Sequence, residues 1–424
     1  MQHKIPLEQL GPMGKPMADA VQACVHCGFC LPACPTYQVL GQEMDSPRGR
    51  IYLMKGVLEG DLPAEQALDH IDKCLGCLAC ETACPSGVQY HQLLSPFREK
   101  VERERKRSLT DRLRRWAVMQ TLPYPGRFTW AVRSGRLVKP FRRFLPGAMR
   151  AMIDLLPDRL APISGKLPVI SPAKGTRRAR VALLAGCVQQ VLDGDINLAT
   201  IDVLTRNGVE VVIPDTQGCC GSLAWHIGEG DQARAMARVN LDAFPLDVDA
   251  IVSNAAGCGS GLRDYKLMFR GTPDEDRAAA FAKKVCDASE FLDRLGFTPP
   301  PALKRPLKVA YHDACHLAHA QGVRSAPRKL LRSVGNLTLL EVPDGDTCCG
   351  SAGTYNLDQP EIAAELGGRK AKNVRSTGCD IVAAGNIGCM VQLRSHLGEQ
   401  NDTPRVPGAL HTMQVLQRCY AGEW

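Results

Sequence analysis

The first 96 residues contain eight cysteines, in two runs of identical spacing. The first is Cys24-x2-Cys27-x2-Cys30-x3-Cys34-Pro35 and the second is Cys74-x2-Cys77-x2-Cys80-x3-Cys84-Pro85. Three thiolates at this spacing can turn round one centre, each holding one iron of a [4Fe–4S] cube. The fourth iron needs a thiolate from elsewhere, and in two-cluster proteins the fourth cysteine of the other run supplies it. The spacing therefore assigns Cys24, Cys27, Cys30 and Cys84 to one cluster, and Cys74, Cys77, Cys80 and Cys34 to a second. Zinc sites and disulfides are the competing uses. A lone CxxC pair would leave zinc open, but two full runs that each end in Cys-Pro count against it. A disulfide framework needs an oxidising compartment. The opening segment MQHKIPLEQLGPMGKPMADA carries no signal-peptide pattern, so reduced thiols and a cytoplasmic location are expected.

The chain has 424 residues and 19 cysteines, and beyond residue 166 the cysteines mark a duplication. VALLAGC, ending at Cys187, matches VAYHDAC, ending at Cys315. GCCG at Gly218 matches TCCG at Thr347, and VSNAAGC, ending at Cys258, matches VAAGNIGC, ending at Cys389. The offsets are 128 (187 to 315), 129 (219 to 348) and 131 (258 to 389), nearly constant over three motifs. Each copy alternates short apolar runs with helical stretches. Strands are expected over 181–186 and 209–213, then over 308–311 and 337–342, with helices near 198–204 and 328–334. That alternation argues for a largely parallel sheet, with the cysteines just past the strand ends, where such folds bind ligands. The expected architecture is α+β overall: a helical dicluster domain of ferredoxin type (1–96), a basic helical linker (97–165) and two tandem α/β cysteine-rich domains (166–300 and 301–424). Residues 35–73 suit a helical insert between the cysteine runs. Its Arg48, Arg50 and Lys55 read either as tuning charges or as solvated surface residues.

The net charge of +8 is unevenly spread. Residues 97–150 hold sixteen Lys and Arg against four acids, so the remainder is slightly acidic. Aromatic and apolar residues (Trp116, Met119, Phe128, Trp130, Phe141, Phe144) interleave with that charge. The combination suits an anionic membrane surface or a groove on a partner subunit. Nucleic acid fits less well, since no nucleic-acid motif accompanies the charge. No apolar stretch of membrane-spanning length occurs.

Particular strings carry a family resemblance: ACVHCGFC at Ala23, CPTY at Cys34, SPRGRIY at Ser46, CETACPSG at Cys80, CCGSAGTY at Cys348 and NIGC at Asn386. The Cys-Cys-Gly repeats resemble those of heterodisulfide reductases and respiratory dehydrogenase subunits. The whole order of motifs resembles the iron–sulfur subunits of bacterial glycolate oxidases. That resemblance implies an electron-transfer subunit of an oxidoreductase complex, not catalytic alone, which relays single electrons from a flavoprotein oxidising glycolate to glyoxylate. The implied acceptor is a membrane quinone, and the implied place is the cytoplasmic face of the inner membrane, bound peripherally. Flavin is expected only on the partner, since Gly228-x-Gly230-x-x-Ala233 follows no strand and reads as chance. Heterodisulfide reduction, or an equivalent subunit for glycerol 3-phosphate or lactate, is the alternative. Against the first stands the loss of the CxxC cysteine in both repeats, to Ala255 and Asn386. Four thiols remain in each: Cys187, Cys219, Cys220 and Cys258, then Cys315, Cys348, Cys349 and Cys389. Each set suits a further Fe–S cluster, a zinc ion, or packing as small hydrophobes. His312 and His316, beside Cys315, read as hydrogen-bonded structural residues, and Cys286, Cys379 and Cys419 as packing residues.

Overall fold

The string SPRGRIY builds the central helix of the N-terminal domain. In the computed structural model, which describes residues 3–144, 153, 156, 167–398 and 408–424, Ser46 stands extended ahead of the helix Pro47–Glu59. Its hydroxyl accepts from the Gly49 amide at 3.0 Å. Pro47 occupies the first turn, where a missing N–H costs nothing. Gly49 is dictated by close approach, since a Cβ there would sit 2.0 Å from the Glu43 carbonyl oxygen. Ile51, Met54 and Leu58 recur at helical spacing and pack on Met17, Leu93 and Phe97. Helices Gly14–Gln22, Ala64–Asp72 and His91–Glu104 complete this small core, and the cysteine runs lie in the loops between helices, except Cys80, in the one-turn helix Ala79–Thr82. The insert is helical, with Pro35–Leu40 as its first element.

The basic segment continues as helices Leu109–Thr121 and Pro125–Val138. Residues 145–165 of the expected linker, other than Ile153 and Leu156, lie outside the described residues, as does residue 166. These two helices bury little, only Val118 and Met119 from the first and Phe128 and Val132 from the second.

Each repeat is a small sheet. The first contains β1 (Ile170–Ser171), β2 (Ala179–Leu184), β3 (Val209–Val212), β4 (Ala250–Ser253) and β5 (Val285–Asp287), in the order β1-β3-β2-β4-β5. The second contains β6 (Leu307–His312), β7 (Leu337–Glu341), β8 (Ile381–Ala384) and β9 (Gly408–His411), in the order β7-β6-β8-β9. Without β1 the two orders coincide, and all those pairings are parallel. The exception is β1, which pairs antiparallel with β3 at the sheet edge. The central strands read as continuous apolar runs because helices cover both faces. Val181, Leu183, Val203 and Val211 of the first copy share one core with Val309, Leu330, Val415 and Leu416 of the second. The repeats therefore pack on each other as halves of a single body.

Gly228 and Gly230 serve packing between domains. A Cβ at Gly228 would lie 2.7 Å from the Arg98 carbonyl oxygen, and one at Gly230 would collide with the Glu99 carboxylate. Arg98 fixes the same junction, donating to the carbonyls of His226 (2.9 Å), Ile71 (2.9 Å) and Cys74 (2.7 Å).

Candidate functional site

Both cysteine loops repeat one backbone pattern. Positive φ occurs at His26 (54°) and Gly28 (89°), on either side of Cys27, and at Gly76 (65°) and Leu78 (62°), on either side of Cys77. Left-handed residues alternating with cysteines turn the loop back on itself. Two gaps result. Cys24, Cys27, Cys30 and Cys84 line one; Cys74, Cys77, Cys80 and Cys34 line the other, and Cys80 also borders the first. Tyr90, buried between the helices, borders both, its hydroxyl 3.8 Å from the Cys74 sulfur.

Arg50 is the charged group built into the second gap. Its side chain is only 1% exposed, so the solvated reading of this charge is overturned. It donates to the His70 carbonyl (2.7 Å), the Thr36 hydroxyl (2.9 Å), Asp45 Oδ1 (3.5 Å) and the Cys34 sulfur (3.8 Å). Desolvation raises the pKa of Cys74, but the Arg50 and Arg98 guanidiniums outweigh it and hold that thiol below its ordinary value. Arg48 instead lies at the surface of the first gap, donating to the His26 carbonyl and pairing with Glu43, while Lys55 pairs with Glu59.

The second gap adjoins the second repeat. Leu75, Cys77, Cys315, Cys348 and Tyr355 pack as one cluster, and the Tyr355 hydroxyl donates to the Lys73 carbonyl at 2.8 Å. Burial, then the nearby Cys315, pushes the Cys77 thiol well up. His316 links the same surfaces, with Nε2 3.1 Å from the Gly76 carbonyl and Nδ1 2.6 Å from the Ser260 hydroxyl. It is thus a structural bridge.

In both repeats the motif cysteines follow the carboxyl ends of the parallel strands. The Cys187 and Cys219 sulfurs are 3.5 Å apart, and those of Cys315 and Cys348 are 3.8 Å apart. Gly221 (φ 77°) and Gly350 (φ 87°) turn the chain immediately after each Cys-Cys pair, and a Cβ would lie 2.9 and 2.7 Å from the carbonyls of Ala233 and Ala363. Close packing and handedness both require glycine there. Hydrogen bonding with Cys219 and then Cys258 holds the Cys220 thiol well below its ordinary pKa, and Cys348 and then Cys389 do the same for Cys349. One thiol in each repeat is therefore favoured as a thiolate, as metal ligation requires. Asn386, in the place of a CxxC cysteine, donates to the Cys389 sulfur at 3.5 Å. A cavity of about 660 Å³ opens where the two repeats meet the N-terminal domain and the first basic helix, and Cys187, Cys219, Cys220 and Cys258 border it together with Cys74, Cys315 and Cys389. Cys286, Cys379 and Cys419 lie in apolar packing.

Comparison with known proteins finds families for parts of the chain. Residues 20–88 match the 4Fe-4S dicluster domain, and residues 181–263 and 309–394 each match the Cysteine-rich domain. The glycolate oxidase iron-sulfur subunit of Escherichia coli K12 is 38% identical over 89% of this chain and 91% of its own length. The probable glycolate oxidase iron-sulfur subunit of Bacillus subtilis 168 is also 38% identical, over 93% of this chain and 92% of its own. Lactate utilization protein A of Oceanobacillus iheyensis is 30% identical over 56% of this chain and 96% of its own.

Proposed function

The chain belongs to the family of glycolate oxidase iron–sulfur subunits, and from that premise we propose that it drains a partner flavoprotein that oxidises glycolate to glyoxylate, delivering the electrons to a membrane quinone. As a family member it is an iron–sulfur electron-transfer subunit of an oxidoreductase. In the proposal, Cys24, Cys27, Cys30 and Cys84 hold one [4Fe–4S] cluster, and Cys74, Cys77, Cys80 and Cys34 hold the other. Bound clusters take one electron at a time, which divides the pair released by a reduced flavin. The chain's own residues set the path. Exchanged fourth cysteines keep the two sites adjacent, Arg50 favours the more reduced state at the second, and the packing of Cys77 against Cys315 leads toward the repeats. That packing is the observation that carries the reading, because an electron carrier needs its sites in close sequence.

The test is turnover. The purified, flavin-free chain should not oxidise glycolate with any dye acceptor, and activity should appear when the flavoprotein is added. Turnover by the chain alone would overturn the relay. The cavity bordered by the thiols of both repeats favours a second reading, thiol chemistry of the heterodisulfide type, which dithiol-dependent disulfide cleavage without the partner would reveal. Lactate in place of glycolate as the partner's substrate is the nearest variant, to be separated by which 2-hydroxy acid the reconstituted complex oxidises.

Docking falls to the basic helices. Leu109, Leu113 and Trp116 recur along one face of the first helix, and Trp130 and Leu137 along the second; all five are exposed. Arg112, Arg127 and Arg133 are exposed beside them. Arg114 and Arg115 are not available, since Arg114 pairs with Asp111 and Asp358 and Arg115 with Glu102 and Glu229. Among the described residues no helix is long and apolar enough to cross a membrane, so we propose that this face lies on an anionic surface, the cytoplasmic side of the inner membrane. Reversing Arg112 and Arg133 to Glu should weaken sedimentation with anionic vesicles about thirtyfold, at about 1 kcal/mol per lost charge contact. The difference should shrink in high salt. Unchanged binding to vesicles with loss of binding to the flavoprotein would assign the face to the partner instead.

A further inference from the structure

We propose that the second repeat holds a single divalent metal ion of the zinc class, with His312 as a ligand beside Cys349 and Cys389. The donor atoms of these three side chains all lie within 4.8 Å of one another, and all three residues are buried. Tetrahedral zinc with bonds of about 2.0–2.3 Å places its nitrogen and sulfur donors some 3.3–3.8 Å apart, so a small contraction closes the set. A cubane cluster instead separates its terminal ligands by the width of the cube and suits a more open ring of thiols.

The state of His312 is the second, independent observation. It is the last residue of β6, the second strand in the order of its sheet, and is 1% exposed. Neither Nδ1 nor Nε2 has a hydrogen-bond partner among the described residues. A buried imidazole with two idle nitrogens is costly, and a metal bond relieves it at one of them. Its strand leaves the backbone little room to move, so the ring is placed in advance. The compact group itself comprises His312, Cys349 and Cys389, and Cys348, whose thiol hydrogen-bonds that of Cys349, is the candidate for the further thiolate that a four-coordinate ion needs.

The duplication makes the site specific to one copy. In the aligned motifs the position of His312 is taken in the first repeat by Leu184, buried at the end of β2. The first repeat thus offers thiols alone, and the second offers nitrogen and sulfur. Mixed nitrogen and sulfur donors favour zinc among the available divalent ions. The inference does not depend on the substrate, the partner or the two [4Fe–4S] sites.

The experiment measures metal on the anaerobically purified full chain. Zinc should be present at about one per chain after dialysis against a chelator. Zinc K-edge absorption should show one nitrogen at about 2.0–2.1 Å with sulfurs at about 2.3 Å. His312→Ala should lower retained zinc at least about tenfold and leave iron unchanged. His312→Cys, which keeps a ligand at the site should the alanine variant fold poorly, should retain zinc with an all-sulfur environment. An all-sulfur environment in the parent chain, full zinc retention in His312→Ala, or iron falling with this substitution while zinc is absent would each overturn the proposal. None of those results touches the electron-relay reading, which stands on the N-terminal irons and on turnover with the flavoprotein.

Discussion

Cys84→Ser should erase the same spectral signal as Cys27→Ser, although the two cysteines belong to different runs. Cys34→Ser should likewise pair with Cys77→Ser. Each variant should lower iron from about eight to about four per chain and extinguish electron transfer from the reduced flavoprotein. The reason lies in how the gaps are lined, with three thiols from one run and the fourth of the other around each, Cys80 bordering the first gap as well as the second. The two pairs should differ in their consequences. Cys27 is exposed, whereas Cys77 is buried against the second repeat. Cys77→Ser should therefore also loosen the junction with that repeat, seen as faster proteolysis of the segment between them, while Cys27→Ser leaves it intact. Low-temperature electron paramagnetic resonance of the reduced chain separates the two signals. If Cys84→Ser paired with Cys77→Ser, each cluster would be held by one run alone, and the exchange of ligands would be wrong.

The local patterns were the legible part of this chain. Cysteine spacing marked both runs, and the three-motif offset marked the duplication. The apolar runs gave β2, β3, β6 and β7 to within a residue or two of their bounds: the buried central strands β2 and β6 read as nearly unbroken hydrophobic segments, and β7, half-exposed at the sheet edge, shows through its leucines. The two-residue β1 carries no periodic signal, and its antiparallel pairing depends on chain running back past β3. For Arg50, tuning charge and solvated surface charge both stayed open, for want of a helix-face argument. It lies four residues before Met54 and eight before Leu58, both buried, whereas Arg48 projects to the opposite side. His312 also left a trace, because the aligned repeat has Leu184 in its place and a leucine there means an interior position. The long-range ties of Arg114 and Arg115 left none, since Asp358 and Glu229 lie far away in the sequence.

Arg50→Met should both destabilise the N-terminal domain and lower the reduction potential of the cluster proposed for the gap lined by Cys34, Cys74, Cys77 and Cys80. Asp45, also 1% exposed, depends on Arg50 and on His70, whose Nδ1 lies 3.0 Å away; its other oxygen has no partner among the described residues. Removing the guanidinium leaves this carboxylate in a dry interior, where breaking a buried ion pair costs about 3–5 kcal/mol. The loss should appear as a lower denaturant midpoint. The potential falls for a separate reason: a fixed positive charge 3.8 Å from the Cys34 sulfur favours the state that carries one more electron, and methionine removes it. Arg50→Lys divides the two effects. Lysine keeps the charge but cannot reach the His70 carbonyl, the Thr36 hydroxyl and Asp45 with one planar fork. Stability should therefore drop in both variants, while the midpoint potential stays near that of the parent chain in Arg50→Lys and shifts downward in Arg50→Met. Equal potentials in all three proteins would show that Arg50 only braces the insert and has no part in setting the electron affinity of the site.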